Sequence, residues 1–303
     1  MSGTTASSDA HRQETASSDA RSFLAGLVGE GIGPSLTPPM HEREAHDLGR
    51  RLIYRTIDIH EQNLPPEAVG DLIRAAPHFG FDGLNITHPC KQLALQHLDV
   101  LSPEAQALGA VNTVVFDDGK AVGHNTDWSG FAGSLELGLA SATRERVVLL
   151  GAGGAGSAVA HALLTTGTRE LLIVDVKSGR AKGLAQRLAH HFPEARCRVL
   201  VPEEVGPGLE SSHGLVNATP TGMAHHPGVP VPVEYLRPHL WVADIVYRPL
   251  RTELLREATH RGCVTLNGGL MAVLQAAEAF ELITGLTPDR KRMQAHFTSL
   301  TGD

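Results

Sequence analysis

The chain has 303 residues, 42% of them hydrophobic and 19% charged, enough for one large or two ordinary domains with a full core. A formal net charge of −7 with no basic stripe argues against a nucleic-acid-binding surface. Three cysteines (Cys90, Cys197, Cys263) without a CxxC pair fit a reducing compartment and neither a disulfide framework nor a zinc site. No apolar run reaches the roughly 18 residues of a membrane span, and the N-terminus lacks a signal peptide's apolar core. The expectation is a cytoplasmic protein that engages no membrane.

Residues 1–20 hold TASSDA twice (Thr5–Ala10 and Thr15–Ala20) and no large apolar side chain except Met1, which predicts a disordered tail. From Arg21 onward, strands and helices alternate. SFLAGLVG (22–29) predicts a strand entering a glycine-rich loop. A helix from Met40 to Gly49, a strand at 51–59 and a helix at 65–80 follow. FDGLNIT (81–87) predicts a third strand and PCKQLALQHLD (89–99) a helix. Residues 109–127 read as a hairpin turning at Asp118-Gly119. WSGFAGSLELGL (128–139) reads as a linking helix. This order predicts an α/β fold with a mostly parallel sheet and right-handed crossovers.

The segment from Arg146 to Leu164 is the most telling. A short apolar run, Val147 to Leu150, meets Gly151, Gly153, Gly154 and Gly156 and then a helical run. That is the strand, tight turn and helix of a dinucleotide-binding unit. Gly151 permits the turn, Gly153 admits the pyrophosphate, and Gly156 allows close helix packing. The new helix directs free N–H groups at phosphates. A second apolar run, Leu171 to Val174, ends in Asp175, where a carboxylate would hold the adenosine ribose. Further strands at 214–220, 239–247 and 263–269 alternate with helices at 179–191 and 251–262. The amphipathic segment Leu270–Gly285 predicts a helix that returns to the first half. The domains are then 21–127 together with 270–303 for substrate, and 128–269, a Rossmann domain, for the cofactor.

Ligands gather beyond the carboxyl ends of parallel strands. There this sequence places Ser35, Thr37, Asn85, Thr87, Lys91, Asn112, Thr113, Asn125, Thr126, Asp127, Asn217, Thr219, Thr221, Asp244, Tyr247 and Gln275. Singly, such Asn and Thr residues cap helices or close turns; together they suggest one site. Oxidation of an alcohol by a nicotinamide needs a group that takes the hydroxyl proton. No Tyr-x-x-x-Lys pair exists, and Lys91 with Asp127 is the pair chosen. The seventeen histidines show no metal-ligand spacing, so no metal site is expected. Cys90 is read as a small buried residue.

NITHPCK (85–91), GAVNT (109–113), GHNTDWSG (123–130), GAGGAG (151–156), NATPTGM (217–223) and DIVYRPLRTELL (244–255) together resemble the shikimate/quinate dehydrogenase family. The blocks keep the family order from about residue 24 to 300. The resemblance implies an amino-terminal α/β substrate domain, a Rossmann domain and a cleft between them. It implies reversible hydride transfer between a nicotinamide and the ring C3 alcohol of shikimate or quinate. Lys91 then carries over as the catalytic lysine and Asp127 as its partner. Ser35 and Thr37 would hold the substrate carboxylate, and Asn85, Thr87, Asn112, Tyr247 and Gln275 would contact substrate. Gly151, Ala152, Gly153, Gly154, Ala155, Asp175, Arg180, Thr219, Ile245 and Gly268 would line the cofactor.

Two departures from the commonest biosynthetic pattern stand out. Asp175-Val176-Lys177 replaces an Asn-Arg-Thr stretch, so NAD is expected over NADP, because a carboxylate accepts from ribose hydroxyls and repels a 2′-phosphate. Thr37 stands where serine is common, beside the ring C1, which suggests activity on quinate as well. The rivals are an NADP-dependent biosynthetic shikimate dehydrogenase, an aminoshikimate-type relative, and a non-catalytic NAD-binding regulatory protein. Either a monomer or a homodimer fits.

Overall fold

The computed structural model describes residues 21–302. The predicted tail at 1–20 lies outside the described residues. The chain opens with β1 (Ser22–Gly29), α1 (Thr37–Asp47), β2 (Arg51–Asp58), α2 (Val69–Ala75) and β3 (Gly83–Ile86). A two-residue strand β4 (Val100–Leu101), α3 (Pro103–Leu108), the hairpin β5 (Thr113–Asp117) and β6 (Lys120–His124), and α4 (Asp127–Gly138) follow. Strands β1 to β6 form one sheet in the order β2-β1-β3-β5-β6-β4. The pairs β1·β2, β1·β3 and β4·β6 are parallel, and the hairpin makes the other two antiparallel. Asp118 and Gly119 both have positive φ, 46° and 74°, as a tight two-residue hairpin turn requires.

The second half runs β7 (Arg146–Leu150), α5 (Gly154–Thr165), β8 (Glu170–Val174), α6 (Ser178–His191), β9 (Arg196–Val199) and α7 (Val205–Glu210). It continues with β10 (Gly214–Asn217), β11 (Trp241–Asp244), α8 (Glu253–His260) and β12 (Val264–Leu266). These six strands pair wholly in parallel, in the order β12-β11-β10-β7-β8-β9. Strand order reverses between β7 and β10, the switch point where doubly wound sheets bind dinucleotides. Alternate residues of β7 and β8 pack to opposite faces: Leu149 and Ile173 on one, Val148 and Leu172 on the other. Both faces are covered, so these strands read as continuous apolar runs.

Helix α9 (Gly269–Thr284) leaves the second sheet and packs back onto the first, where Phe280 and Ile283 join Phe23, Ala25 and Leu27. It crosses α4 very closely. A Cβ at Gly130 would lie 2.8 Å from the Gln275 Cβ, and one at Gly133 2.9 Å from the Leu274 Cδ1. Helix α10 (Arg290–Thr301) is pinned to α1 by the Arg292 guanidinium, which donates to both oxygens of the buried Glu44 carboxylate at 2.9 and 2.6 Å. No helix among the described residues is long and apolar enough to cross a membrane.

The structure corrects the sequence reading in several places. The helix expected at 89–99 is a turn followed by a short 3₁₀ segment, Leu93–His97. Here the Lys91 carbonyl accepts from the Val111 N–H at 3.0 Å, while the Leu95 N–H, which would reach Lys91 in an α-helix, donates to the Gln92 carbonyl at 3.4 Å. The strand at 239–247 is shorter, ending at Asp244, whose carboxylate takes the Val246 N–H. Strands β4 and β9 and helices α3, α7 and α10 were not anticipated. The edge strand β9 carries Arg-Cys-Arg-Val with no fully buried residue, which hides it from an apolar-pattern reading.

His41 on α1 is wholly buried, with edge-on contacts to Tyr54 and Phe280 at 5.2 and 5.6 Å. Burial pushes its pKa down from 6.5 to about 4. Below pH 6.5 the unfolded chain therefore binds a proton that the native protein refuses, and stability falls as pH drops toward 4. Replacing His41 with Phe should remove this loss. Urea denaturation at pH 7 and 4.5 should show wild type losing about 2 kcal/mol more than His41→Phe over that interval.

Candidate active site

The loop after β3 brings Lys91 to the first residue of α4. Lys91 Nζ lies 2.5 Å from Asp127 Oδ2, with side chains 17% and 10% exposed. The other carboxylate oxygen accepts from Asn112 Nδ2 at 2.9 Å. Asn112 is held in turn through its own Oδ1, which accepts from the Thr126 N–H at 2.7 Å and the Thr113 hydroxyl at 3.1 Å. The pair thus sits at the carboxyl edge of the first sheet, largely dry, with both carboxylate oxygens hydrogen-bonded.

Asn85 at the end of β3 belongs to the same network. Its amide nitrogen donates to the Thr113 hydroxyl and the Asn112 carbonyl at 3.0 and 3.2 Å, and its oxygen accepts from the Tyr54 phenol at 2.6 Å. Both amide hydrogens therefore point into the protein. Thr87 packs on the end of β1, since a Cβ at Gly29 would meet its methyl at 2.3 Å. The Ser35 hydroxyl accepts from the Thr37 N–H at 3.3 Å and lies beside the Tyr247 phenol, which is pushed up in pKa by burial. Gln275 lies against Gly130, one turn along α4 from Asp127. Cys90 is buried and its thiol is pushed up to about 11, mainly by burial, so it is no nucleophile.

The glycine turn separates structural need from vacant space. Gly151 has φ of 95°, and a Cβ there would meet the Ala218 carbonyl at 2.7 Å. A Cβ at Gly156 would lie 2.0 Å from the Gly151 carbonyl. Gly153 differs: a Cβ there meets nothing within 4 Å among the described residues, and no side chain caps α5. An open cradle at an uncapped helix N-terminus fits a pyrophosphate. The Asp175 carboxylate accepts from the Ala152 N–H at 2.8 Å and the Lys177 N–H at 2.7 Å, which fixes it at the end of β8. Thr219 is tied to Asn217 Oδ1 through its hydroxyl at 2.6 Å. Gly268 sits against the Ile245 carbonyl, where a Cβ would come within 2.3 Å. Ala155 lies in the first turn of α5 and Arg180 in that of α6, the latter exposed.

Two contacts join the halves at this place. The Lys91 stem runs beside Gly154, the first residue of α5, with its Cδ 3.6 Å from where a Cβ would stand. Arg248 Nη1 donates to the Pro34 carbonyl at 2.5 Å, beside Ser35. A family model for the shikimate dehydrogenase substrate binding domain matches residues 27–114. The chain is 59% identical to a shikimate dehydrogenase (NADP(+)) of Streptomyces avermitilis over 93% of its own length and 97% of that protein.

The chain belongs to the shikimate dehydrogenase family.

It is also 46% identical to a quinate/shikimate dehydrogenase (NAD(+)) of Corynebacterium efficiens, over 92% of this chain and 99% of that one. The solved quinate dehydrogenase from Corynebacterium glutamicum in complex with NAD superposes with a TM-score of 0.87 at 44% identity, covering 92% and 99% of the two chains. This member of the shikimate dehydrogenase family is thus an oxidoreductase of the shikimate/quinate type that uses a nicotinamide dinucleotide.

Tyr54 was missed as part of the site. Its signal was present: β2 buries Leu52 and Tyr54 on one face, and a buried phenol demands a partner. Because Gly153 adopts an ordinary extended conformation (φ −78°, ψ −166°), Gly153→Val should fold, with Tm within about 4 °C of wild type. Fluorescence titration should show its affinity for the dinucleotide weakened about tenfold or more.

Proposed function

We propose that this protein catalyses the reversible NAD-dependent oxidation of the C3 hydroxyl of shikimate and quinate to 3-dehydroshikimate and 3-dehydroquinate. The observation that carries the reading is the Lys91–Asp127 pair at 2.5 Å with the lysine stem against the first residue of α5. On this reading, it would carry a proton-transfer group from the substrate half to the edge of the dinucleotide cradle. Residues 21–127 and 270–303 would hold substrate, and 128–269 the cofactor.

When bound, the nicotinamide supplies the hydride acceptor in oxidation and the donor in reduction. In the oxidising direction the neutral Lys91 amine takes the hydroxyl proton; in the reducing direction its ammonium gives that proton to the nascent alkoxide oxygen. Asp127 orients the amine and accepts from a neighbouring substrate hydroxyl. Ser35, Thr37 and Tyr247 hold the substrate carboxylate, and Thr87, Asn112 and Gln275 line the ring, with Asn85 in the same shell. On the cofactor side, the residues from Gly151 to Ala155 take the pyrophosphate. Asp175 takes the ribose hydroxyls, Arg180 covers the adenine side, and Thr219, Ile245 and Gly268 flank the nicotinamide.

The Asp175 carboxylate supports NAD: held by two backbone N–H groups, it stands where a 2′-phosphate would bring like charge. The name of the Streptomyces relative favours a second reading, NADP-dependent shikimate dehydrogenase. Thr37, the first residue of α1, supports quinate, whose extra C1 hydroxyl would lie beside that side chain.

Initial rates with each substrate and each dinucleotide test both choices. The expected result is a kcat/KM at least about tenfold higher with NAD, with turnover of both shikimate and quinate. Comparable values with NADP would reverse the cofactor assignment, and absence of quinate turnover between pH 7 and 10 would restrict the substrate. Lys91→Ala should lower kcat about a thousandfold or more while NAD affinity stays within about twofold.

A further inference from the structure

A buried row of polar side chains extends from the Lys91–Asp127 pair to the far face of β2, and nothing in the proton transfer described above uses its distant end. The Tyr54 phenol donates to Asn85 Oδ1 at 2.6 Å. Asn85 Nδ2 donates to the Thr113 hydroxyl at 3.0 Å, and that hydroxyl to Asn112 Oδ1 at 3.1 Å. Asn112 Nδ2 then donates to Asp127 Oδ1 at 2.9 Å. We propose that Tyr54 and Thr113 are positioning residues, which hold the Asp127 carboxylate against Lys91 through a one-way chain of hydrogen bonds. The proposal rests on the reading that Lys91 moves the proton.

Two backbone groups fix the direction. The Asn112 carbonyl can only accept, so it draws the amide nitrogen of Asn85 and turns Asn85 Oδ1 toward Tyr54. The phenol must then donate. The Thr126 N–H can only donate, so it draws Asn112 Oδ1 and turns the amide nitrogen toward Asp127. Thr113 is left one role, to accept from Asn85 and donate to Asn112, which a hydroxyl alone can do. Each member donates to the next one nearer the carboxylate, with Asn112 Nδ2 also donating to the Thr126 hydroxyl at 3.0 Å, and such a row polarises in one sense. Tyr54 is 6% exposed, Asn85 5%, Asn112 4% and Thr113 0%, so water does not compete for these bonds. Burial also pushes the Tyr54 pKa up, which keeps the phenol a donor across the working pH range. The Tyr54 ring is itself held edge-on by His41. The carboxylate therefore meets Lys91 through one oxygen at a fixed angle, as proton transfer to a ring hydroxyl requires.

Steady-state kinetics with shikimate and saturating dinucleotide test the chain in four variants: Tyr54→Phe, Thr113→Val, Thr113→Ser and the double variant Tyr54→Phe/Thr113→Val. Tyr54→Phe and Thr113→Val should each lower kcat about tenfold, with KM for shikimate and for the dinucleotide within about twofold. Thr113→Ser, which restores the hydroxyl, should return kcat to within about twofold of wild type. The double variant should be little worse than the poorer single one, because one break already severs the chain. Should Tyr54→Phe fail to fold, the Thr113 pair reads the same link. Unchanged kcat in both hydroxyl-less variants, beside an inactive Lys91→Ala, would overturn the chain and leave the proposed reaction standing. A rise in shikimate KM at constant kcat would also overturn it, because the row would then serve substrate binding alone. An active Lys91→Ala would remove the proposed reaction itself.

Discussion

The contact between the Lys91 ammonium and the Asp127 carboxylate is the constraint around which this protein is arranged. At 2.5 Å and with little exposure, such a pair gains from attraction only if its remaining hydrogen-bonding capacity is met. Asn112 meets it on the carboxylate, and Asn112 is itself locked by backbone and hydroxyl partners. The lysine comes from a loop tied back to the strand hairpin, its carbonyl accepting from the Val111 N–H. The aspartate opens α4, the helix that leads out of the first sheet. A local ion pair and the path of the chain between its halves are therefore one structural feature.

Two helices join the halves and set their spacing. Helix α4 departs from the pair, and α9 returns from β12 to cover the first sheet, crossing α4 where Gly130 and Gly133 leave no room for side chains. Gln275 is delivered to the site by this same crossing. On the other side, the parallel sheet reverses its order at β7 and β10 and offers an uncapped helix N-terminus beside a glycine with free space over its α-carbon. The residues proposed for substrate and those proposed for the dinucleotide meet where Lys91 and Gly154 are neighbours. The proposed preference for NAD rests on a separate and simpler element, a single carboxylate at the end of β8.

Much of this was legible in the residues. The glycine turn, the run ending in Asp175 and the hairpin at Asp118-Gly119 carry strong local rules, and each formed where its pattern placed it. Lys91, Asn112 and Asp127 stood at strand ends, and the folded chain brings them within hydrogen-bond reach. What escaped is governed by tertiary partners. The segment from Pro89 to Asp99 has helical spacing, but it folds as a turn and a 3₁₀ segment tied to Val111 by a long-range bond. Helix α10 depends on Arg292 reaching Glu44, far back in the sequence, and β9 has no buried face to announce it. Tyr54 gave only a parity signal, and its role needed the position of Asn85.

The most direct measurement of the central claim is a crystal structure of the dead-end ternary complex with shikimate and reduced dinucleotide. The account places Lys91 Nζ within about 3 Å of the ring C3 oxygen, with the carbon bearing it facing the nicotinamide and Asp127 still paired to the amine. A closed complex in which Nζ lies beyond about 6 Å from that oxygen, outside any hydrogen-bond or single-water reach, would contradict it.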